Sequence, residues 1–355
     1  MNGQSEAGSD WEDGDAAGVH GGWSASQRLS PLYAVAGRCM ATTGGQKARQ
    51  NIAVTSGEHA TYGYELAPEL RAALIAALPA EAVGWVERMV GAPVASQRAL
   101  LGGTSSAMHL LETSAASPLD RVVLRRYVLN WVLEEPEIPG NEALSLRLVG
   151  DGAVGVPAPQ LLASDPDGTE LGVPMTLMTA LPGEPLWHPT DRAGWLRAMA
   201  ELAVKIHSAS LSTELSDWFP YEPVSRTPPA WSRHPEAWLT AYKVWDRPTP
   251  ASERVFLHRD FHPGNILWTD EAITGVVDWV SSCAGPPEED IGHCRANLAI
   301  RLGQDWADEF LAIWQDLTGK REYHPYWDLT NVVSFDHQRV EPRLDAFVAA
   351  AAARL

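Results

Sequence analysis

The chain of 355 residues is poor in cysteine, holding only Cys39, Cys283 and Cys294. An odd count without a CxxC pair supports neither a disulfide framework nor a zinc site, and it fits a reducing compartment. Basic residues are also scarce. The 27 Lys and Arg stand against 45 Asp and Glu, a formal net charge of −18. No Lys/Arg run appears, which counts against nucleic acid as a partner. Cationic or neutral small molecules suit such a surface better. No apolar run reaches the ~20 residues that a membrane-spanning helix needs, so no membrane partner is expected. The first residues, Met1-Asn2-Gly3-Gln4-Ser5-Glu6, lack the basic-then-apolar order of a signal peptide, and a cytoplasmic location is expected.

What is present is enough apolar material for a sizeable core, 45% of the chain. Residues 1–60 are rich in Gly, Ser, Ala, Asp and Thr without sustained periodicity, which predicts a disordered tail. From Leu66 the apolar positions Leu70, Leu74 and Leu78 recur at helical spacing until Pro79, and Val83–Val90 continues as a second helix. Gln97–Leu111 reads as strand, glycine turn, strand. Arg121–Leu129 is a third strand, Pro136 and Pro139 mark a loop, and Asn141–Leu148 is an amphipathic helix. Val173–Thr179 is a further strand. After Asp191 the pattern is helical, with Leu196, Met199, Ala200, Ala203 and Ile206 on one face of Trp195–His207. The Pro- and Trp-dense stretch 215–250 reads as loops with short helices, and the chain is helical again from Ile300. The implied fold class is α+β in two lobes: a small β-rich N-lobe over 61–181 and a larger helical C-lobe over 182–355.

Two segments carry chemistry. His258-Arg259-Asp260-Phe261-His262-Pro263-Gly264-Asn265 is followed by Gly275-Val276-Val277-Asp278-Trp279. The strand Ile266–Trp268 and the strand Gly275–Asp278 should form a hairpin that brings Asn265 and Asp278 to one end. Phosphoryl transfer from ATP asks for a carboxylate beside the attacking hydroxyl and for metal ions bridging the phosphates. Asp260 can accept or orient the hydroxyl proton. Asn265 offers a neutral oxygen and Asp278 an anionic one, a donor set that suits Mg²⁺. Pro263 and Gly264 make the first segment a turn in any case. His258 is expected to be a buried hydrogen-bonding residue and His262 a surface or structural one.

His-x-Asp-x-x-x-x-Asn followed by an apolar strand ending in Asp, with Gly285-Pro286-Pro287-Glu288-Glu289-Asp290 beyond it, resembles the aminoglycoside phosphotransferase and choline kinase-like family. The resemblance spans roughly residues 95–300 and implies a protein-kinase-like fold. It implies Asp260 as the base, Asn265 and Asp278 as metal ligands, and a bracing role for Asp290. It places ATP in the N-lobe against Gly102, Gly103, Thr104 and Ser105, whose backbone N–H groups and hydroxyls can approach phosphates. That segment departs from a full G-x-G-x-x-G. Where the family usually carries Lys on the third strand, this chain has Arg125, with Arg126 on the opposite face. Glu142 is the candidate partner of Arg125; Glu134, Glu135 and Glu137 compete with it. The adenine is expected near Met178, Thr179 and Ala180. Glu288, Glu289 and the tryptophans Trp218, Trp231, Trp238 and Trp245 are candidates for an acceptor pocket with an acidic rim. The implied acceptor is a hydroxyl-bearing small molecule: an antibiotic of aminoglycoside, macrolide or cationic peptide type. Homoserine, choline or a sugar are alternatives, as is a catalytically silent nucleotide-binding protein.

Overall fold

The computed structural model describes residues 67–355, apart from 102–104, 134, 151–154 and 336–338. The tail expected over 1–60 lies outside them. Two helices come first, α1 (Pro68–Ile75) and α2 (Ala80–Val90). Proline opens both, where its missing N–H costs nothing. In α2, Ala82, Trp85 and Val86 share a buried face, and Gly91 ends the helix at φ 75° with its N–H on the Glu87 carbonyl.

Five antiparallel strands follow: β1 (Val94–Ala99), β2 (Ala107–Thr113), β3 (Arg121–Arg126), β4 (Leu161–Asp165) and β5 (Met175–Thr179), in the order β1-β2-β3-β5-β4. The central strand β3 is covered on both faces, so Val122 through Arg125 are all buried. Val122 and Leu124 pack with Trp85, Val86 and Leu177 on the α2 side. Val123 faces the other way, with Leu146, Val149 and Met178. The two-residue period of a strand therefore sends Arg125 to the same side as Val123. That side carries helix α3 (Ile138–Val149). Pro136 and Pro139 were expected to mark a loop, but Pro139 lies in the first turn of α3, where proline is tolerated. Glu142 consequently stands in the second turn of the helix.

Beyond the sheet, β6 (Glu184–Pro185) joins β8 (Ile266–Thr269) and β9 (Ala272–Val276), and β7 (Val255–Leu257) pairs with β10 (Cys283–Gly285). The β8–β9 turn holds Asp270 and Glu271 at φ 48° and 62°, the paired positive values of a tight hairpin. The second strand of this hairpin was expected to reach Asp278. It stops at Val276, and Asp278 leaves the strand at φ 70°. The remaining mass is helical: α4 (Arg192–His207), α5 (Pro235–Trp245), α6 (Glu288–Arg301), α7 (Gln304–Thr318), α8 (Tyr326–Val332) and α9 (Pro342–Ala352). Helix α6 runs through their middle, buried almost along its whole length. Its charged residues are therefore forced into internal pairs; Arg295 Nε donates to Asp328 Oδ1 at 2.9 Å with both side chains fully buried.

Candidate active site

The loop that leaves β7 carries His258 through Asn265, and α6 holds its backbone. Asp290 accepts the N–H of His258 (3.0 Å) and of Arg259 (2.6 Å) on its two oxygens, and His207 Nε2 lies 3.0 Å away. This grip keeps Arg259 at φ 69°, a conformation a non-glycine residue adopts only when its surroundings impose it. The Arg259 guanidinium is clamped over the rings of Phe219 and Tyr221, and its Nη2 donates to the Phe219 carbonyl. His258 is fully buried. Its Nδ1 accepts the Asp260 N–H, so its Nε2–H donates to the Val277 carbonyl at 3.0 Å. One imidazole thus ties the Asp260 loop to the Asp278 loop, as a buried hydrogen-bonding His258 should.

Asp260 is pinned from two sides. Asn265 Nδ2 donates to its Oδ2 (3.0 Å) and to its carbonyl (2.9 Å). His293 Nε2, from α6, lies 3.0 Å from its Oδ1, and His262 Nε2 lies 3.5 Å from the same oxygen. The Asn265 N–H bonds back to His262 O, and Val277 N–H donates to Asn265 O, so the two loops also share backbone bonds. Gly264 is needed in this turn: a Cβ there would come 2.6 Å from the His262 ring. Its N–H donates to His262 Nδ1, which places the His262 proton on Nε2, toward Asp260.

Asp278 sits where the β3 cation can reach it. Arg125 Nη1 lies 2.8 Å from Asp278 Oδ1 and 3.2 Å from Glu142 Oε1, and its Nε donates to Met108 Sδ. Glu142 Oε2 accepts Tyr127 O–H at 2.7 Å. Glu142 pairs with Arg125 as expected, and Glu134 lies outside the described residues. The neighbouring Asn141 donates to the carbonyls of Val280 and Ser282, anchoring α3 to the segment that follows Asp278. Arg126 points to the other face, as the strand period requires.

The electrostatics follow from burial and these pairs. Burial alone would raise the Asp260 carboxyl, but the imidazoles of His262 and His293 hold it well below the ordinary carboxylate range. Burial pushes His262 down to about 4 against the pull of Asp260. His293 is raised: desolvation disfavours its charge, and the hydrogen bond and charge of Asp260 prevail. Arg125 is raised by Glu142 and Asp278 in spite of its burial. Glu142 is raised by its own burial, which Arg125 only partly offsets.

Other expected site residues fare differently. Gly102, Gly103 and Thr104 lie outside the described residues. Ser105 lies at the near end of the β1–β2 connection, just before Ser106 and β2. Met178 is buried in the core beside Val123, and Ala180 donates its N–H to Arg121 O, so what Ala180 can offer a purine is its carbonyl. The acidic rim does not exist as expected. Glu288 and Glu289 open the buried helix α6; Glu288 is bound by Ser252 and Lys320, and Glu289 by Asn331 Nδ2. Trp238 is likewise core: it is fully buried and its indole donates to Asp345. Sequence reasoning missed His293, Asn331, Tyr127 and Asn141. A signal for His293 was available, since Asp290 and His293 stand three apart on one helix and must share a face.

Two metal arrangements can be considered. Asp260, His262 and His293 bring ligand atoms within 4.8 Å of one another. A metal ligand needs a nitrogen lone pair, and the Gly264 bond leaves His262 Nε2 protonated, so this trio is better described as a hydrogen-bonded cluster around the Asp260 carboxylate. Asn265 and Asp278 fit Mg²⁺ instead. The Asn265 bonds found among the described residues are made by its Nδ2, which turns Oδ1 away from Asp260, and the Asp278 side chain is 27% exposed. One neutral and one anionic oxygen, with room for phosphate and water, is a magnesium donor set.

The strand order, the helix packed on the sheet and the two linked loops define a kinase-like fold. The chain belongs to the phosphotransferase enzyme family, whose model matches residues 96–351. A thermostable mutant of an aminoglycoside phosphotransferase, solved with ADP and hygromycin B, is 14% identical, with a TM-score of 0.55 over 76% of this chain and 97% of that one. A spectinomycin phosphotransferase solved with ADP and spectinomycin is 13% identical, with a TM-score of 0.51 over 73% and 86%. At such identities the likeness is one of fold. No curated protein matches the sequence. Among the described residues, no helix is long and apolar enough to cross a membrane.

Proposed function

We propose that the protein transfers the γ-phosphoryl group of ATP to a hydroxyl of a small molecule. One observation carries this reading: the loop after β7 and the segment after β9 are bonded into one unit that presents Asp260, Asn265 and Asp278 together, with Arg125 reaching across from the sheet. In this reading residues 61–181 form the nucleotide lobe and 182–355 the acceptor lobe. Bound Mg²⁺ would neutralise phosphate charge, held by Asn265 and Asp278. Arg125, kept charged by Glu142, would meet the phosphates of the nucleotide, to which Gly102, Gly103, Thr104 and Ser105 would offer backbone N–H groups and hydroxyls; the adenine would lie near Met178 and Ala180. Asp260 stays ionised at neutral pH, so its main task is to accept the hydrogen bond of the attacking hydroxyl and aim it in line. A loose transition state asks for positioning more than for a strong base.

The acceptor we take to be an amine-bearing antibiotic, on the strength of the net charge of −18 and the ligands of the two solved structures above. With the acidic rim gone, overall charge is what favours a cation. The test is ADP release from Mg·ATP with hygromycin B, spectinomycin, a macrolide, choline and homoserine as acceptors. Asp260→Asn is expected to lower kcat by about 10³-fold while Mg·ADP affinity changes less than about twofold. Near-wild-type turnover in that variant refutes the assignment.

A further inference from the structure

We infer that His293, held by Asn331, is a positioning residue that sets the orientation of the Asp260 carboxylate; the inference rests on the phosphotransfer reading above. A carboxylate rotates about its terminal bond unless both oxygens are held. Asn265 holds Oδ2 at 3.0 Å, and His293 Nε2 holds Oδ1 at 3.0 Å. The first hold belongs to the same loop, so it moves with the loop. The second comes from α6, which also grips the loop backbone through Asp290. Asp290 and His293 share one face of that helix, so a single rigid element fixes both the backbone and the side-chain torsion of Asp260.

His293 is itself aimed. Asn331 Nδ2 donates to Trp327 O (3.0 Å) and Glu289 Oε2 (3.3 Å), so its Oδ1 must be the atom that meets His293 Nδ1 at 3.1 Å. Nδ1 then carries a proton, and Nε2 carries another toward the carboxylate. The edge of Phe335, 5.5 Å from the imidazole centre, closes one side. The result is a row in which buried Glu289, Asn331 and His293 lead to the partly exposed Asp260 carboxylate. Without His293, the remaining side-chain donor to Oδ1 among the described residues is His262 Nε2, at the longer distance of 3.5 Å and from the same loop as Asp260. The carboxylate would then sample rotations in which no lone pair points along the line of attack.

The test uses the full chain and Mg·ATP, with water as the acceptor in a basal hydrolysis assay and with any active acceptor from the panel. His293→Ala is expected to lower kcat about 30-fold and to leave KM for Mg·ATP within about twofold. His293→Gln, which can offer an N–H to Oδ1, is expected to recover at least a third of wild-type kcat, and Asn331→Leu to lose about fivefold. Melting temperatures are read in parallel. If His293→Ala keeps kcat within twofold of wild type while Asp260→Asn is inactive, the inference is wrong and the phosphotransfer reading stands. If the Ala and Gln variants lose activity equally and in step with melting temperature, His293 is only structural. If the wild type neither binds Mg·ATP nor releases ADP, both readings fall.

Discussion

Replacing Glu289 by Gln should stabilise the protein at pH 8 far more than at pH 5. Glu289 is 4% exposed at the start of α6, and Asn331 Nδ2 is its hydrogen-bond donor at 3.3 Å. Burial pushes its carboxyl up to about 7, with the charges of Arg259 and His293 working against that rise. The folded protein therefore keeps a proton that the unfolded chain releases near 4.5. As pH climbs through the window from 4.5 to 7, the unfolded state gains stability from ionisation that the folded state cannot match. The contribution of this group to stability falls across that window and levels off above it. A separation of about 2.5 between the two values, at about 1.4 kcal/mol for each, comes to about 3 kcal/mol at pH 8, against under about 1 kcal/mol at pH 5. Gln is neutral at both and can still accept from Asn331 through its carbonyl. The stability difference between Gln variant and wild type, measured by urea denaturation, should be about 2–3 kcal/mol larger at pH 8. A difference that is equal at the two pH values, or larger at pH 5, would show that Glu289 is ionised in the folded state and that desolvation does not dominate there.

Asp278→Asn is expected to raise the Mg²⁺ concentration needed for half-maximal ADP release by about tenfold, because an anionic ligand becomes neutral; an unchanged magnesium titration would contradict the ligand role. The buried Arg295 is a separate probe of the helical lobe. Asp328 takes its Nε and Nη2 at 2.9 and 3.1 Å and also binds Tyr323 and Arg354. Asp328→Ala should cost about 3–5 kcal/mol in denaturant unfolding, since it removes the buried counter-ion and leaves the guanidinium with the more exposed Asp308 at 3.2 Å, and a loss below about 1 kcal/mol would mean that Asp308 suffices to hold the charge.

Local spacing was readable without coordinates. His258, Asp260 and Asn265 lie within eight residues, and a turn built on Pro263 and Gly264 leaves them few arrangements. The alternation of β3 was also readable, and it sent Arg125 and Arg126 to opposite faces. Periodicity and turn chemistry act over a few residues, so they survive in a bare sequence. The end of β9 did not, because the bend at Asp278 is imposed by bonds from the Asp260 loop and by Arg125, 153 residues away.

The sequence by itself determined which oxygen-bearing side chains share a loop, which face of β3 carries Arg125, and the α+β division of the chain. The tertiary structure alone decided that Glu142 lies within reach of Arg125, that Glu288 and Glu289 are interior rather than a rim, and that His293 reaches Asp260. The reason is burial. A charged residue on an unplaced helix reads as solvated surface, and only packing of α6 among α7, α8 and α9 reveals that water is absent and that each charge must find a partner inside.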